Sequence, residues 1–137
     1  MKVINTELEG VLIIEPNMFF DNRGYFCETY NKTILNIIGQ EFEFVQDNES
    51  CSKLNVIRGL HFQNPPFEQG KLVRVTHGKV LDIVVDLRKK SKTFAKHISV
   101  ELSATNNRQL WIPPGFAHGF VSLEDETKLV YKCTKYY

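Results

Sequence analysis

The chain of 137 residues is 42% hydrophobic and 24% charged, which is the composition of one globular domain with one core and no need of disulfides or a structural metal. Lys and Arg total 17 against 16 Asp and Glu, a formal net charge of +1, so no long-range field gathers nucleic acid or an anionic membrane. An odd count of three cysteines, Cys27, Cys51 and Cys133, without C-x-x-C or Cys/His spacing, argues against both a disulfide framework and a zinc site. The N-terminus MKVINTELEG carries Glu7 and Glu9 where a signal peptide would be apolar, and no stretch approaches a membrane span, so a cytoplasmic protein is expected. Short β-branched and aromatic runs then recur at 10–14, 25–30, 42–46, 59–63, 71–76, 79–88, 97–102, 109–112, 120–123 and 128–134, a spacing that predicts a sandwich or barrel. One helix interrupts them, with Asn31 as its cap, Ile34, Leu35 and Ile38 on one side, and Gly39 as its end. The sharpest turn is His77-Gly78, where glycine can adopt positive φ between two alternating strands. No linker or repeat divides the chain, and residues 1–137 read as one domain.

Side-chain alternation decides which residues share a face. It places His61 with Gly59 and Gln63, facing either solvent or a polar cavity between sheets. In the strand 79–88, Leu81, Ile83, Val85 and Leu87 form an apolar face, and Asp82 and Asp86 share the other with Val80 and Val84. Carboxylates on a half-apolar face call for partners. Tyr131 falls with Leu129 and Cys133, so its ring is expected to be buried with a hydroxyl in need of a hydrogen bond, which makes it a candidate proton donor. Arg74, Arg88, Lys89, Lys90 and Lys92 read as solvated surface, and His77 and His97 as turn and strand residues.

The segments GVLIIEPNMFFDNRGYF, RGLHFQNPPFEQGKLVRV, VVDLR, LWIPPGFAHGF and YKCTKYY, in this order and spacing, resemble the dTDP-4-dehydrorhamnose 3,5-epimerase family. The resemblance runs through Tyr137 and implies an all-β cupin, a double-sheet jelly roll, here with one short helix. It also implies a homodimer, with the apolar stretch 11–14 expected to cross to the partner, and a reaction without metal or cofactor. Gln63 stands where a metal-binding cupin carries the second histidine of its first motif, which points the same way. His61 and His118 of P-x-G-x-x-H would be thin coordination for a catalytic zinc.

The implied substrate is a dTDP-linked 6-deoxyhexose with a ketone at C4, epimerised at C3 and C5. Taking a proton from a carbon beside a carbonyl requires a base, a stabilised enolate oxygen, and an acid on the opposite face. His61 is the expected base, because an ordinary imidazole pKa of about 6.5 leaves most of it neutral at cellular pH. The resemblance assigns Lys71 to the developing oxyanion and Tyr131 to the acid. Arg23 and Arg58 suit a diphosphate, since guanidinium groups bind phosphate in bidentate fashion. By resemblance Phe26, Glu28, Gln46, Asp47 and Asn48 lie along the nucleotide, Tyr137 is a stacking ring, and His118 is a second active-site histidine. Asp82 is a candidate to orient one of the imidazoles.

Family members continue past the position of Tyr137 with a segment that supplies an aspartate for the catalytic histidine. The expectation is that this chain is either truncated or a short homologue, in which Asp82 or another group orients His61. Two classes of function are carried forward. One is an epimerase acting on C3, C5 or both in deoxysugar biosynthesis, with a single-carbon epimerase or ketoisomerase of another pathway as a variant. The other is a non-catalytic cupin that binds a nucleotide sugar.

Overall fold

Twelve strands and one short helix form among the described residues, which in this computed structural model are 1–38 and 42–137, with position 35 described in backbone alone. In chain order they are β1 (Lys2–Asn5), β2 (Leu12–Glu15), β3 (Met18–Asp21), β4 (Gly24–Cys27), α1 (Thr33–Ile37), β5 (Gln46–Ser52), β6 (Ile57–His61), β7 (Lys71–His77), β8 (Lys79–Asp86), β9 (His97–Ser103), β10 (Gln109–Ile112), β11 (Phe116–Ser122) and β12 (Thr127–Cys133). Six strands make one sheet in the order β1-β2-β10-β7-β12-β5, and four make a second in the order β6-β11-β8-β9. The pairings are antiparallel throughout.

The sheets face each other across one core. Val73, Val75, Leu110, Ile112 and Leu129 from the first meet Val80, Val84, Val100, Leu102, Phe116 and Phe120 from the second. Each such side chain is worth about 1.5–3 kcal/mol when fully buried, so this layer drives the sandwich together. It is the double-sheet jelly roll expected. The β7–β8 turn also forms as read, with Gly78 at φ 76°.

The buried face of β8 is the one that carries the acids. Val80, Asp82, Val84 and Asp86 are buried, whereas Leu81, Ile83 and Val85 are only half-buried on the outer side. Hydrophobicity alone ranks the two faces the wrong way round, because polar partners hold the two carboxylates in the interior. Arg88 is one such partner and not a solvated side chain, since it pairs with Asp86 at 2.9 Å.

A second cluster covers the outer face of the six-stranded sheet. Ile34 and Ile38 of the α1 region pack there with Ile14, Leu72 and Trp111. Asn31 Oδ1 accepts from the Thr33 N–H at 2.8 Å, but the helix takes Lys32 as its N-cap, without a side-chain cap bond. The proposed helix end at Gly39 and the Leu35 side chain lie outside the described residues. The strand expected at 42–46 is replaced by an aromatic strap. Phe42 and Phe44 stack against Trp111 at 5.4 and 6.1 Å between ring centroids, and extended pairing starts only at Gln46.

Two regions are left uncovered. Strands β3 and β4 pair only with each other, a ribbon with Phe19, Phe20, Tyr25 and Phe26 between 59% and 73% exposed. Strand β6, the edge of the four-stranded sheet, is exposed along its whole length, with Ile57 at 74%. The stretch expected to cross to a partner behaves differently, since Val11 and Ile14 are fully buried within their own chain. No described helix is long and apolar enough to cross a membrane.

Candidate active site

Four strands bring the expected chemistry to one end of the sandwich. His61 closes β6, Lys71 opens β7, His118 lies in β11 and Tyr131 in β12. Strand register fixes their neighbours. His118 stands opposite His61, and Cys133 stands opposite Lys71. Two hollows open there, of about 190 Å³ and 260 Å³. The first includes Gln63, Phe116 and His118, the second Gln46, Asn48, Tyr131 and Cys133, and both are lined by His61, Gln69, Lys71 and Tyr137. These four shared residues make the hollows adjoining parts of one depression. His61 therefore faces a cavity between the sheets that is open to solvent.

The electrostatics differ from group to group. Burial pushes the Lys71 ammonium below the ordinary lysine value, while the Cys133 thiol and the Asp82 carboxylate pull it back up. Its Nζ sits 5.4 Å from the centroid of the Tyr131 ring. Burial, reinforced by Cys133 and Tyr137, pushes the Tyr131 phenol up, with Arg58 acting the other way. A raised phenol stays protonated at neutral pH, the state required of a proton donor. Burial also raises the Cys133 thiol, against the opposing pull of Lys71 and of the Asn48 amide, which donates to the sulfur at 3.7 Å.

Asp82 pairs with an imidazole, and the imidazole is that of His118. His118 Nε2 and Asp82 Oδ2 lie 2.7 Å apart in a pair that is almost wholly buried. The other carboxylate oxygen, Oδ1, has no partner among the described residues. Burial raises the Asp82 pKa, and His118 and Lys71 draw it back down. His61 has no carboxylate partner among the described residues. The reason is register, since β8 places Asp82 beside β11 and leaves β6 one strand further out.

The nucleotide set divides. Gln46, Asn48 and Tyr137 line the cavity. Asp47 points to the opposite face of β5, as alternation demands, and both its carboxylate oxygens accept from Lys132 Nζ at 3.0 Å. Arg58 turns aside from the hollows, donating to Ser52 Oγ at 2.9 Å and to the Cys51 carbonyl at 3.1 Å. Arg23 and Phe26 lie on the detached ribbon, where Arg23 is tied to Asp21, and Glu28 follows the ribbon and accepts from Asn31. None of these three lines the cavity of its own chain. A roomier hollow of about 370 Å³ on the outer face, with Tyr30, Arg74 and Lys132 in its lining, lies on the other side of the sheet from the interior lysine. Sequence reasoning missed Gln69. Its signal was available, because it stands two residues before Lys71 and therefore on the same side of the chain.

The model of the dTDP-4-dehydrorhamnose 3,5-epimerase family matches residues 5–137. The chain belongs to this family. A dTDP-4-dehydrorhamnose 3,5-epimerase of Shigella flexneri is 54% identical over 138 residues, which cover 100% of this chain and 76% of that relative. The crystal structure of the dTDP-4-dehydrorhamnose 3,5-epimerase of Bacillus anthracis, with TDP and PPi bound, superposes with a TM-score of 0.95 at 48% identity, covering 99% of this chain and 78% of that one. That of the dTDP-6-deoxy-D-glucose-3,5-epimerase of Legionella pneumophila, in complex with dTDP-4-keto-L-rhamnose, also gives 0.95, at 47% identity over 99% of this chain and 72% of its own. Identity at this level, spread over both sheets, carries the cupin jelly roll of the family to this chain.

Proposed function

We propose that this chain epimerises a dTDP-4-keto-6-deoxyhexose at C3, C5 or both, with His61 as base, Lys71 at the oxyanion and Tyr131 as acid. The observation that carries the reading is the convergence of these three groups from β6, β7 and β12 on one depression. His61 takes the proton from the carbon beside the ketone, and the C–H electron pair moves into the carbonyl to give an enolate. The Lys71 ammonium, held in a partly water-excluded site, stabilises that oxygen more than it would in bulk solvent. Tyr131 returns a proton to the opposite face and recovers its own from solvent while His61 releases to solvent the one it took, so the step is redox-neutral and needs no co-reactant. His118, bonded to Asp82, borders the same hollow, which supports a role for it in contacting the sugar.

The working form is a homodimer in this reading. Four exposed aromatic rings on a two-stranded ribbon and a fully exposed edge strand are surfaces that proteins cover. The ribbon takes the crossing role expected of 11–14, and Arg23, Phe26 and Glu28 then serve the partner's cavity.

The test is to incubate the protein with the 4-keto sugar nucleotide in heavy water and map deuterium at C3 and C5 by NMR. Incorporation with inversion is expected. Binding without any exchange would leave the non-catalytic cupin as the function.

A further inference from the structure

Burial of the last strand ends at Cys133, which is 1% exposed, whereas Tyr136 and Tyr137 are 73% and 90% exposed. Among the described residues, polar bonds hold Tyr137 beside the cavity it lines. Its position depends on polar stitches between the segment after β12 and the loop ahead of β7. Gly70 begins them. A Cβ there would lie 2.5 Å from Trp111 Cη2, so only glycine lets the chain pass this ring. Its N–H donates to Thr134 Oγ1 at 2.8 Å, and its carbonyl accepts from the Thr134 N–H at 3.0 Å. One residue earlier, Gln69 Nε2 donates to the Lys135 carbonyl at 2.9 Å. The Tyr137 N–H then donates to Gln46 Oε1 at 3.2 Å.

These stitches are unequal. The Tyr137 bond to Gln46 is exposed, where water competes and the net gain is small. Gln69 is 8% exposed, and its bond is shielded. We propose that Gln69 is a positioning residue that fastens the chain downstream of β12, so that one rigid stretch holds Tyr137 at the nucleotide end of the cavity and Lys71 at the sugar end. The inference rests on the dTDP-sugar reading. Glutamine suits the place because the bond needs a donor toward a carbonyl, while a cation would stand two residues from Lys71. Ionised glutamate would present only acceptors to the Lys135 carbonyl.

Two variants, Gln69→Glu and Gln69→Met, test this in the full chain. In ligand-free protein, amide hydrogen exchange at Tyr137 should quicken by about tenfold in Gln69→Met, the size expected when one shielded hydrogen bond is lost. The dTDP dissociation constant should weaken by about tenfold in both variants at pH 8. Lowering the pH should return affinity to Gln69→Glu alone, because a protonated carboxyl regains an O–H donor for the Lys135 carbonyl, while Gln69→Met has no donor at any pH. A merely structural defect gives no such selective rescue. Unchanged Tyr137 exchange in Gln69→Met, or wild-type dTDP affinity in both variants, overturns the proposal. If Gln69→Glu does not fold, Gln69→Met still decides on exchange and affinity. Failure of the unsubstituted protein to bind dTDP would instead sink the nucleotide-sugar reading, with the exchange result deciding the anchoring by itself.

Discussion

Asp82 and Asp86 sit four residues apart on the same face of β8, and both are fully buried. Their surroundings are opposites. Asp86 is saturated, taking the Arg88 guanidinium at 2.9 Å on each oxygen, the Arg88 N–H at 2.9 Å, and the hydroxyls of Ser91 and Thr93 at 2.7 and 2.6 Å. Burial works against its ionisation, but these donors outweigh it and hold the carboxyl well below the usual carboxylate range. Among the described residues Asp82 has one partner, His118, and an oxygen with none, and burial raises its pKa. A buried carboxylate that is fully bonded holds a fold together, whereas one left short of partners keeps capacity for chemistry. Strand β8 thus has a clamped end toward Asp86 and a working end toward Asp82.

Substitutions at the two ends should have different consequences, and the largest effect belongs to the working end. His61→Asn retains polarity but has no proton acceptor at neutral pH, so deuterium wash-in should fall by roughly 10² to 10⁴ with the denaturation midpoint unchanged. Wash-in at the normal rate would move the base elsewhere, with His118 next in line. At the clamped end, Asp86→Ala strands the Arg88 charge and several donors, and should cost about 3 kcal/mol in urea unfolding. Asp82→Asn, which removes a poorly solvated charge, should stay within about 1 kcal/mol. Equal losses at the two positions would erase the distinction.

Tyr131→Phe sharpens the working end further. The ring stays packed and Lys71 still meets the enolate, so proton removal continues while inversion, measured against exchange at each carbon, should drop about tenfold or more. An unchanged ratio at a lower rate would make Tyr131 a positioning group. The smallest effect is one of pH. Because the Asp86 pKa is depressed on folding, its contribution is complete above the unfolded value of about 3.9 and is lost as pH falls through the folded value. Acid titration of stability should therefore be shallower in Asp86→Asn than in the unsubstituted chain, and parallel curves would show that the clamp does not depend on charge.

Local patterns carried much of this into the sequence. The strand at 109–112 and the His77-Gly78 turn form as read, because a short apolar run and a glycine at positive φ are local signals. The proposed catalytic set, His61, Lys71 and Tyr131, was read from three distinctive motifs, and the fold brings these residues to one depression. What escaped was decided at a distance. Met18 to Asp21 carries adjacent aromatics and no clean alternation, and its partner is another equally exposed strand. Phe42 and Phe44 have the composition of a strand but find Trp111 first. The pairing of Asp82 with His118 spans 36 positions, and no spacing rule reaches across that gap.

The clamp at Asp86 also decides how the chain meets proteases. The loop from Arg88 to Lys96 holds Arg88, Lys89, Lys90, Lys92 and Lys96, and by composition it is the most inviting tryptic target in the molecule. Its two ends are closed on each other, with the Asp86 N–H donating to the Lys96 carbonyl at 3.0 Å and the Ala95 N–H to the Asp86 carbonyl at 2.8 Å. The side-chain carboxylate grips its middle through Ser91 and Thr93. A protease must draw a bond out into an extended form before cutting it, and here that means opening the whole clamp. The basic loop is therefore expected to resist trypsin despite its lysines, and rapid cutting there in a limited digest would show that the clamp opens readily.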